Sequence, residues 1–549
     1  MKKIIIFFAI LFAWIHVSVA QNLDPTVEVT RGYKAELVDA HKPSLEMAVP
    51  DSVYKFDLDF DYSVSDKTYG GSYEFVPYSM DMRPQSPKEA PTVFYLNAGA
   101  GYTLHPTLDV IYSPVLNGKF SMDLYGKHRS YIGDYRAPHV GENVAGQVFK
   151  GGYDMMSKAN ADFGYDWEKA VMGFGVSYYG VAVNDILHKD AFNALDARFS
   201  VKSKSLWSKR FMYDIALGYR LGGGHDVREH LVDLDMKFGP TQKARRKLFL
   251  DLGASLAVYQ KHVSATFAHF YLAPHYLFQK NGFKADVGVR AAYMLPGAEH
   301  QPVNDQFVYP EVHLSCLIKD VMRLYVDVTG GEVLNTYSSL LERNHHFHLN
   351  YSLAEGQLLS SSQVRVRPEA GIEGRITNFF TYHVKGGYAC YAASPVDALK
   401  VIGSDYLPYL GYTKRQQWYG ALDCTLDLKS FRFDGELKYT RTWGMDAAPE
   451  NVFYVMPARW NASVSAVYNW NKRLYFGLDG EMASSAMTCD KSVYVPYYVD
   501  LGAFAEYVVN KKISIWLRGG NLLNMEIQRN LLYAEKGINF TAGFCLNLQ

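Results

Sequence analysis

Beyond its first twenty residues, the 549-residue chain has no run of eighteen or more apolar residues, so membrane-spanning helices are not expected. It has no charge excess either. Its 56 basic residues balance 56 acidic ones, so the basic footprint of a nucleic-acid-binding protein is missing and no nucleic acid is expected as a partner. Cysteine is scarce: Cys316, Cys390, Cys424, Cys489 and Cys545 are odd in number and scattered, and no CxxC occurs. They read as isolated strand or loop residues, with a single disulfide as the alternative.

What is present begins with an export signal over residues 1–20. Lys2 and Lys3 give the positive start, Ile4 to Trp14 the apolar stretch, and Ser18-Val19-Ala20 the small-residue cleavage site. Cleavage there would leave Gln21 first, and the lack of Cys at that position argues against a lipid-anchored amino terminus. Mean hydropathy is only −0.15, yet aromatic residues reach 15%, with 42 Tyr and 31 Phe beside 44 Gly. Strands that alternate lipid-facing apolar residues with polar lumenal ones average to such a value, and aromatic girdles add the rings.

The alternation is explicit. In 538–548, Ile538, Phe540, Ala542, Phe544, Leu546 and Leu548 share one face, and Asn539, Thr541, Gly543, Cys545 and Asn547 the other. Leu248, Leu250, Leu252, Ala254, Leu256 and Val258 oppose Asp251 and Ser255. Val232, Leu234, Met236 and Phe238 oppose Asp233, Asp235 and Lys237. Phe431, Phe433, Leu437 and Tyr439 oppose Arg432, Asp434, Glu436 and Lys438. A soluble β-sandwich alternates too, but rarely puts so much charge on one face of so many strands.

Short connections (167–170, 279–282, 377–378, 429–430, 471–472, 510–512) alternate with long ones (127–158, 296–306, 331–362, 394–416, 444–455, 521–537). That asymmetry is expected of periplasmic turns and extracellular loops. The fold class is therefore all-β: a transmembrane antiparallel β-barrel over residues 93–549, with about 22 strands, or a smaller even number if two candidate hairpins do not span. Residues 21–92 hold seven prolines and little sustained amphipathicity, and read as a periplasmic or lumen-filling extension.

The segment Leu517-Arg518-Gly519-Gly520-Asn521-Leu522-Leu523-Asn524, followed by Tyr533 and 538–544, resembles the final hairpin of TonB-dependent receptors, which carries a GxNLxN stretch and then a GRxFxxGL-like strand. Thr26-Val27-Glu28-Val29-Thr30 resembles a TonB box, the extended segment that TonB pairs with by strand addition. The resemblance covers about four-fifths of the chain. It implies an outer-membrane location, a receptor or transporter role, a barrel of about 22 strands around a plugged lumen, and TonB as a candidate partner. Two departures stand against it. The roughly seventy residues before the first strand are too few for the family's folded plug, and the chain finishes Leu548-Gln549 where such barrels usually end on an aromatic residue. The chain thus looks like a plug-less TonB-dependent-receptor-like barrel of the kind found in Bacteroidota. Its lumen would need filling by residues 21–92, by folded-in loops such as 331–362, or by another protein.

Among candidate sites, His346 and His348 would share a face if extended. With adjoining His345 they offer a metal or haem contact; a polar loop with clustered His is the alternative, since no carboxylate or Cys stands at ligand spacing beside them. Asp57, Asp59 and Asp61 lack the Gly and Glu of an EF-hand loop and read as a solvated strand face. Gly222-Gly223-Gly224 lies between two strands without a Lys-Ser/Thr signature and reads as a loop tip rather than a phosphate cradle. Arg432, Asp434, Glu436 and Lys438 are expected to face the lumen and form interstrand ion pairs. No cofactor and no catalytic set is selected. Expected partners are outer-membrane lipid and lipopolysaccharide, the barrel-insertion machinery, and TonB or other outer-membrane subunits. Three roles remain: a transporter or channel, a non-conducting structural subunit of an outer-membrane complex, and a barrel-rim enzyme. The first is favoured narrowly over the second.

Overall fold

The computed structural model describes residues 93–548 apart from 103, 117, 137–147, 185–188, 205–210, 241–246, 262–263, 296–305, 320, 347–360, 403–404, 490–492 and 530. The export signal, the extension at 21–92, the TonB-box-like Thr26–Thr30 and the Asp57–Asp61 run lie outside the described residues.

Twenty-two strands close into one antiparallel barrel. In chain order the first eleven are Phe94–Tyr102, Thr107–Tyr112, Phe120–Arg136, Val148–Asp166, Ala170–Asn184, Lys189–Ser203, Met212–Gly224, Val227–Gly239, Leu248–Lys261, Ala265–Lys280 and Phe283–Leu295. The second eleven are Val308–Ile318, Met322–Leu334, Ser361–Thr377, Phe380–Ile402, Asp405–Asp427, Phe431–Trp443, Trp460–Trp470, Leu474–Ala483, Tyr498–Val508, Ile513–Gly520 and Asn539–Leu548. Each pairs with the next, and the first closes on the last from Phe94↔Leu548 to Tyr102↔Phe540. Closure removes the sheet edge, so the backbone polar groups of the wall are satisfied without water. Among the described residues no helix is long and apolar enough to cross a membrane.

The alternation orients the wall. Phe540 and Phe544 stay exposed on the outer face while Asn539 and Thr541 are buried inside. The strand Trp460–Trp470 sets the height of the apolar band: its two tryptophans, 45% and 55% exposed, stand at the two ends of its eleven residues. That is the length a tilted strand needs to cross a bilayer, with indoles at both interfaces. The short turns gather at the rim that holds Phe94 and Leu548, which identifies it as periplasmic.

Several segments read as long loops are strand instead. The stretch 127–158 is mostly two strands, Phe120–Arg136 and Val148–Asp166, separated only by 137–147. The stretch 394–416 belongs to two 23-residue strands, Phe380–Ile402 and Asp405–Asp427, which run far beyond membrane height. The apolar periodicity there fades because the outer face has left the lipid, whereas the hydrogen-bonded ladder continues. Above the wall, Val452–Met456 pairs with Phe380–Ile402 and with Ala486–Thr488, which in turn pairs with Tyr494–Val495, making a small extracellular sheet.

The closing seam is packed around one indole. Trp516 donates from Nε1 to Asn97 Oδ1 at 2.7 Å, and its ring lies against Gly99 and Gly543. A Cβ on Gly543 would stand 2.3 Å from Trp516 Cζ2 and 2.4 Å from the Ala98 carbonyl oxygen. Gly543→Ala is therefore expected to overpack the seam at a cost of roughly 1–3 kcal/mol. The check is the temperature at which the folded barrel loses its fast-migrating band on a semi-native gel; an unshifted temperature would contradict this packing.

Candidate functional site: the barrel mouth

Toward the extracellular rim the inward face changes character. Lower down it is charged, as Asp233, Asp235 and Lys237 show. Higher up, the same face carries Val227 and Leu231, and neighbouring strands add Val181, Val183, Phe192, Ala257, Tyr259 and Phe267, all buried. An apolar patch facing a watery lumen would be costly unless covered. Its cover is a short helix, Tyr337–Arg343, folded into the barrel from the loop between Met322–Leu334 and Ser361–Thr377.

The helix starts at Thr336, whose hydroxyl accepts from the Ser339 N–H at 3.2 Å. Tyr337, Leu340 and Leu341 are buried against the patch, and the Tyr337 ring meets Phe192 edge-on at 5.1 Å. At the helix start lies Glu229, with no exposed surface. Its carboxylate accepts from Ser338 Oγ at 2.6 Å, the Ser338 N–H at 3.3 Å and Tyr259 OH at 3.0 Å. Arg220 donates to Ser338 Oγ and to Asp196, both at 2.5 Å. Burial, with Asp190 close by, pushes the Tyr337 phenol well above its usual value. The far end is held by Lys158–Glu342 at 3.2 Å, Arg343–Asp397 at 3.3 Å and His345–Asp154 at 2.7 Å.

A second loop, 521–538, meets the first. The His346 ring stacks on Tyr533, centroids 3.8 Å apart and 11° from parallel. This second loop is shaped by the motif that carried the family resemblance. Asn521, at a φ of +44°, donates from Nδ2 to the Met525 carbonyl at 2.8 Å and accepts from the Met525 N–H at 2.9 Å. Asn524 Oδ1 accepts from the Ile538 N–H at 3.0 Å. Arg529 reaches Glu481 and Asp500, each at 2.8 Å, and also Glu535. Burial opposes its charge, but these carboxylates outweigh it and raise the guanidinium's pKa.

Beneath the loops, one side of the lumen is a recess of about 600 Å³. Asp423, Asp434, Glu436, Asp479, Glu481 and Asp500 line it against two guanidiniums, Arg518 and Arg529. The lining is acidic.

The sequence matches no protein-family model and no curated protein sequence. The structure does have neighbours. The ferric enterobactin receptor PfeA of Pseudomonas aeruginosa superposes with a TM-score of 0.57 at 12% identity, over 84% of this chain and 81% of that one. The siderophore receptor PirA from Acinetobacter baumannii gives 0.58 at 11%, over 83% and 80%. The FrpB iron transporter from Neisseria meningitidis gives 0.58 at 11%, over 84% and 83%. The chain has the fold of a TonB-dependent-receptor-like outer-membrane barrel.

In this receptor-like barrel the expected site residues divide. Arg432, Asp434, Glu436 and Lys438 share the inward face, but the ion pair is not interstrand: Arg432 Nε meets Asp434 Oδ2 on its own strand at 2.8 Å. Thr425 supplies the cross-strand bond, 2.8 Å to Asp434 Oδ1. Residues two apart on a strand share a face, and a long guanidinium reaches its own neighbour as readily as the next strand. Gly222–Gly224 is not the loop tip expected of it but the last three residues of the strand Met212–Gly224, paired with its neighbours, and the tip is the two-residue turn 225–226. His345 and His346 lie in the mouth, while His348 falls outside the described residues. None of the five cysteines is in a disulfide. Sequence reasoning missed Glu229, Ser338, Asp154 and Arg529, and marked Tyr533 only as part of the family resemblance. A usable signal existed for the first: inward positions 227 and 231 turn apolar around it, where a wet lumen would hold polar residues.

Proposed function

We propose that this protein is a receptor- or transporter-type barrel of the outer membrane whose extracellular mouth is closed at rest by its own loops, in place of much of the work of a full plug. The observation that carries the reading is the helix Tyr337–Arg343, docked on an apolar inner wall and latched by buried Glu229. Passage would require that helix to leave its seat, and the acidic recess below would then favour cations. Thr26–Thr30 is the segment through which TonB would engage such a barrel.

A second reading, a non-conducting subunit of an outer-membrane complex, draws on the same dry packing and on the small sheet above the membrane, a platform for another protein. Planar-bilayer recording separates them. The intact barrel is expected to be nearly silent, and a variant with 336–346 replaced by a short Gly-Ser link to conduct with cation selectivity. A steadily conducting parent would sink the loop-closure reading. A silent deletion variant that co-purifies with stoichiometric partners would favour the subunit.

A further inference from the structure

The sequence offered two or three histidines with no carboxylate beside them. Folding supplies one from far along the chain: Asp154, inward on the strand Val148–Asp166, comes within 2.7 Å of His345 Nε2. His346 stands next to it, 4% exposed, with the two imidazole rings 4.3 Å apart. One donor atom from each of Asp154, His345 and His346 lies within 4.8 Å of the others.

We infer that Asp154, His345 and His346 form a binding site for a divalent transition-metal ion, of the zinc, copper(II) or nickel class, that ties the first loop to the barrel wall. The donor set is two imidazoles and one carboxylate, the set that suits these borderline ions and leaves further coordination positions for water. Metal–ligand bonds of about 2.0–2.2 Å put the ligand atoms of a tetrahedral ion about 3.4 Å apart, so the widest pair here closes in by at most about 1.4 Å, a shift that side-chain rotation supplies. Their orientation is fixed by groups outside the set. The Tyr533 ring holds the plane of His346, and the His346 N–H donates to Asn344 Oδ1 at 3.0 Å, setting the turn that presents both rings together. Wall and loop contribute one and two ligands respectively, so an ion bound here braces the closed mouth. Binding itself does not depend on the transport reading.

The test uses untagged full-length barrel in mild detergent, stripped with EDTA and titrated calorimetrically with zinc or nickel chloride. One ion per chain is expected. Asp154→Asn should weaken binding by more than the roughly 10–100-fold typical of losing an outer-sphere partner, and His345→Ala with His346→Ala should abolish it. Equal binding by the double variant would assign the ion to other histidines and overturn the proposal. Paramagnetic resonance of the parent loaded with one copper(II) gives a readout that needs no variant: two nitrogen donors support the site, and a spectrum without them overturns it. If binding holds while zinc leaves the conductance of Glu229→Ala unchanged, the ion binds but the brace is overturned; if binding holds in a parent that conducts steadily, the site stands and the loop-closure reading fails.

Discussion

Replacing Glu229 with alanine is expected to unseat the helix Tyr337–Arg343 and open the mouth of the barrel. The magnitudes make this one side chain decisive. Burying Tyr337, Leu340 and Leu341 contributes on the order of 5–9 kcal/mol. Fixing the backbone of a seven-residue helix costs roughly 7–14 kcal/mol. The two hydrogen bonds from Ser338 to a charged acceptor add roughly 3–6 kcal/mol. The opposing sums nearly cancel, so the loop is seated only while its polar latch is made. The ion pair Lys158–Glu342 has both partners about 40% exposed and contributes little in its place. Alanine also leaves the Ser338 N–H and the Tyr259 O–H without their carboxylate acceptor in the buried site, which adds to the cost. The measurement is bilayer conductance together with uptake of a large hydrophilic antibiotic by intact cells. A folded Glu229→Ala barrel as silent as its parent would contradict the latch. Glu229→Gln keeps an acceptor for Ser338 and is expected to fall between the two.

The wall was largely legible from the chain because period-two alternation is a local property: lipid on one side and water on the other act on each strand separately. It worked best for 248–258 and 538–548, where both faces meet their expected surroundings. It failed for 394–416, where strands leave the membrane and the solvent no longer alternates. The mouth was much less legible, because its contacts join residues far apart in sequence. Asp154 meets His345, Glu229 meets Ser338, and His346 meets Tyr533. No spacing rule links such pairs. The Asn521 and Asn524 motif was visible as a resemblance, and its physical role is local: two asparagine side chains fold the base of the last loop.

Arg529→Ala is expected to release that last loop and, through it, to loosen the first. Arg529 is 30% exposed and pairs with Glu481, Asp500 and Glu535 at once, while its guanidinium lies 5.4 Å over the Tyr498 ring. Without it three carboxylates face one another across the loop base. Removing one partner of a fully buried pair costs about 3–5 kcal/mol, and the exposure of this cluster brings that to roughly 2 kcal/mol. The loop should become open to trypsin at Lys536 in the otherwise folded barrel; a loop that stays uncut would refute the hub. Adding Glu481→Gln should restore part of the protection by removing one of the repelling charges. The stack of His346 on Tyr533 makes a further demand. If the two loops close the mouth as one unit, Arg529→Ala must also raise conductance. Combined with Glu229→Ala, it must add less than the sum of the two single effects, because a seat already vacated cannot be vacated again. Strict additivity would mean that the loops move independently.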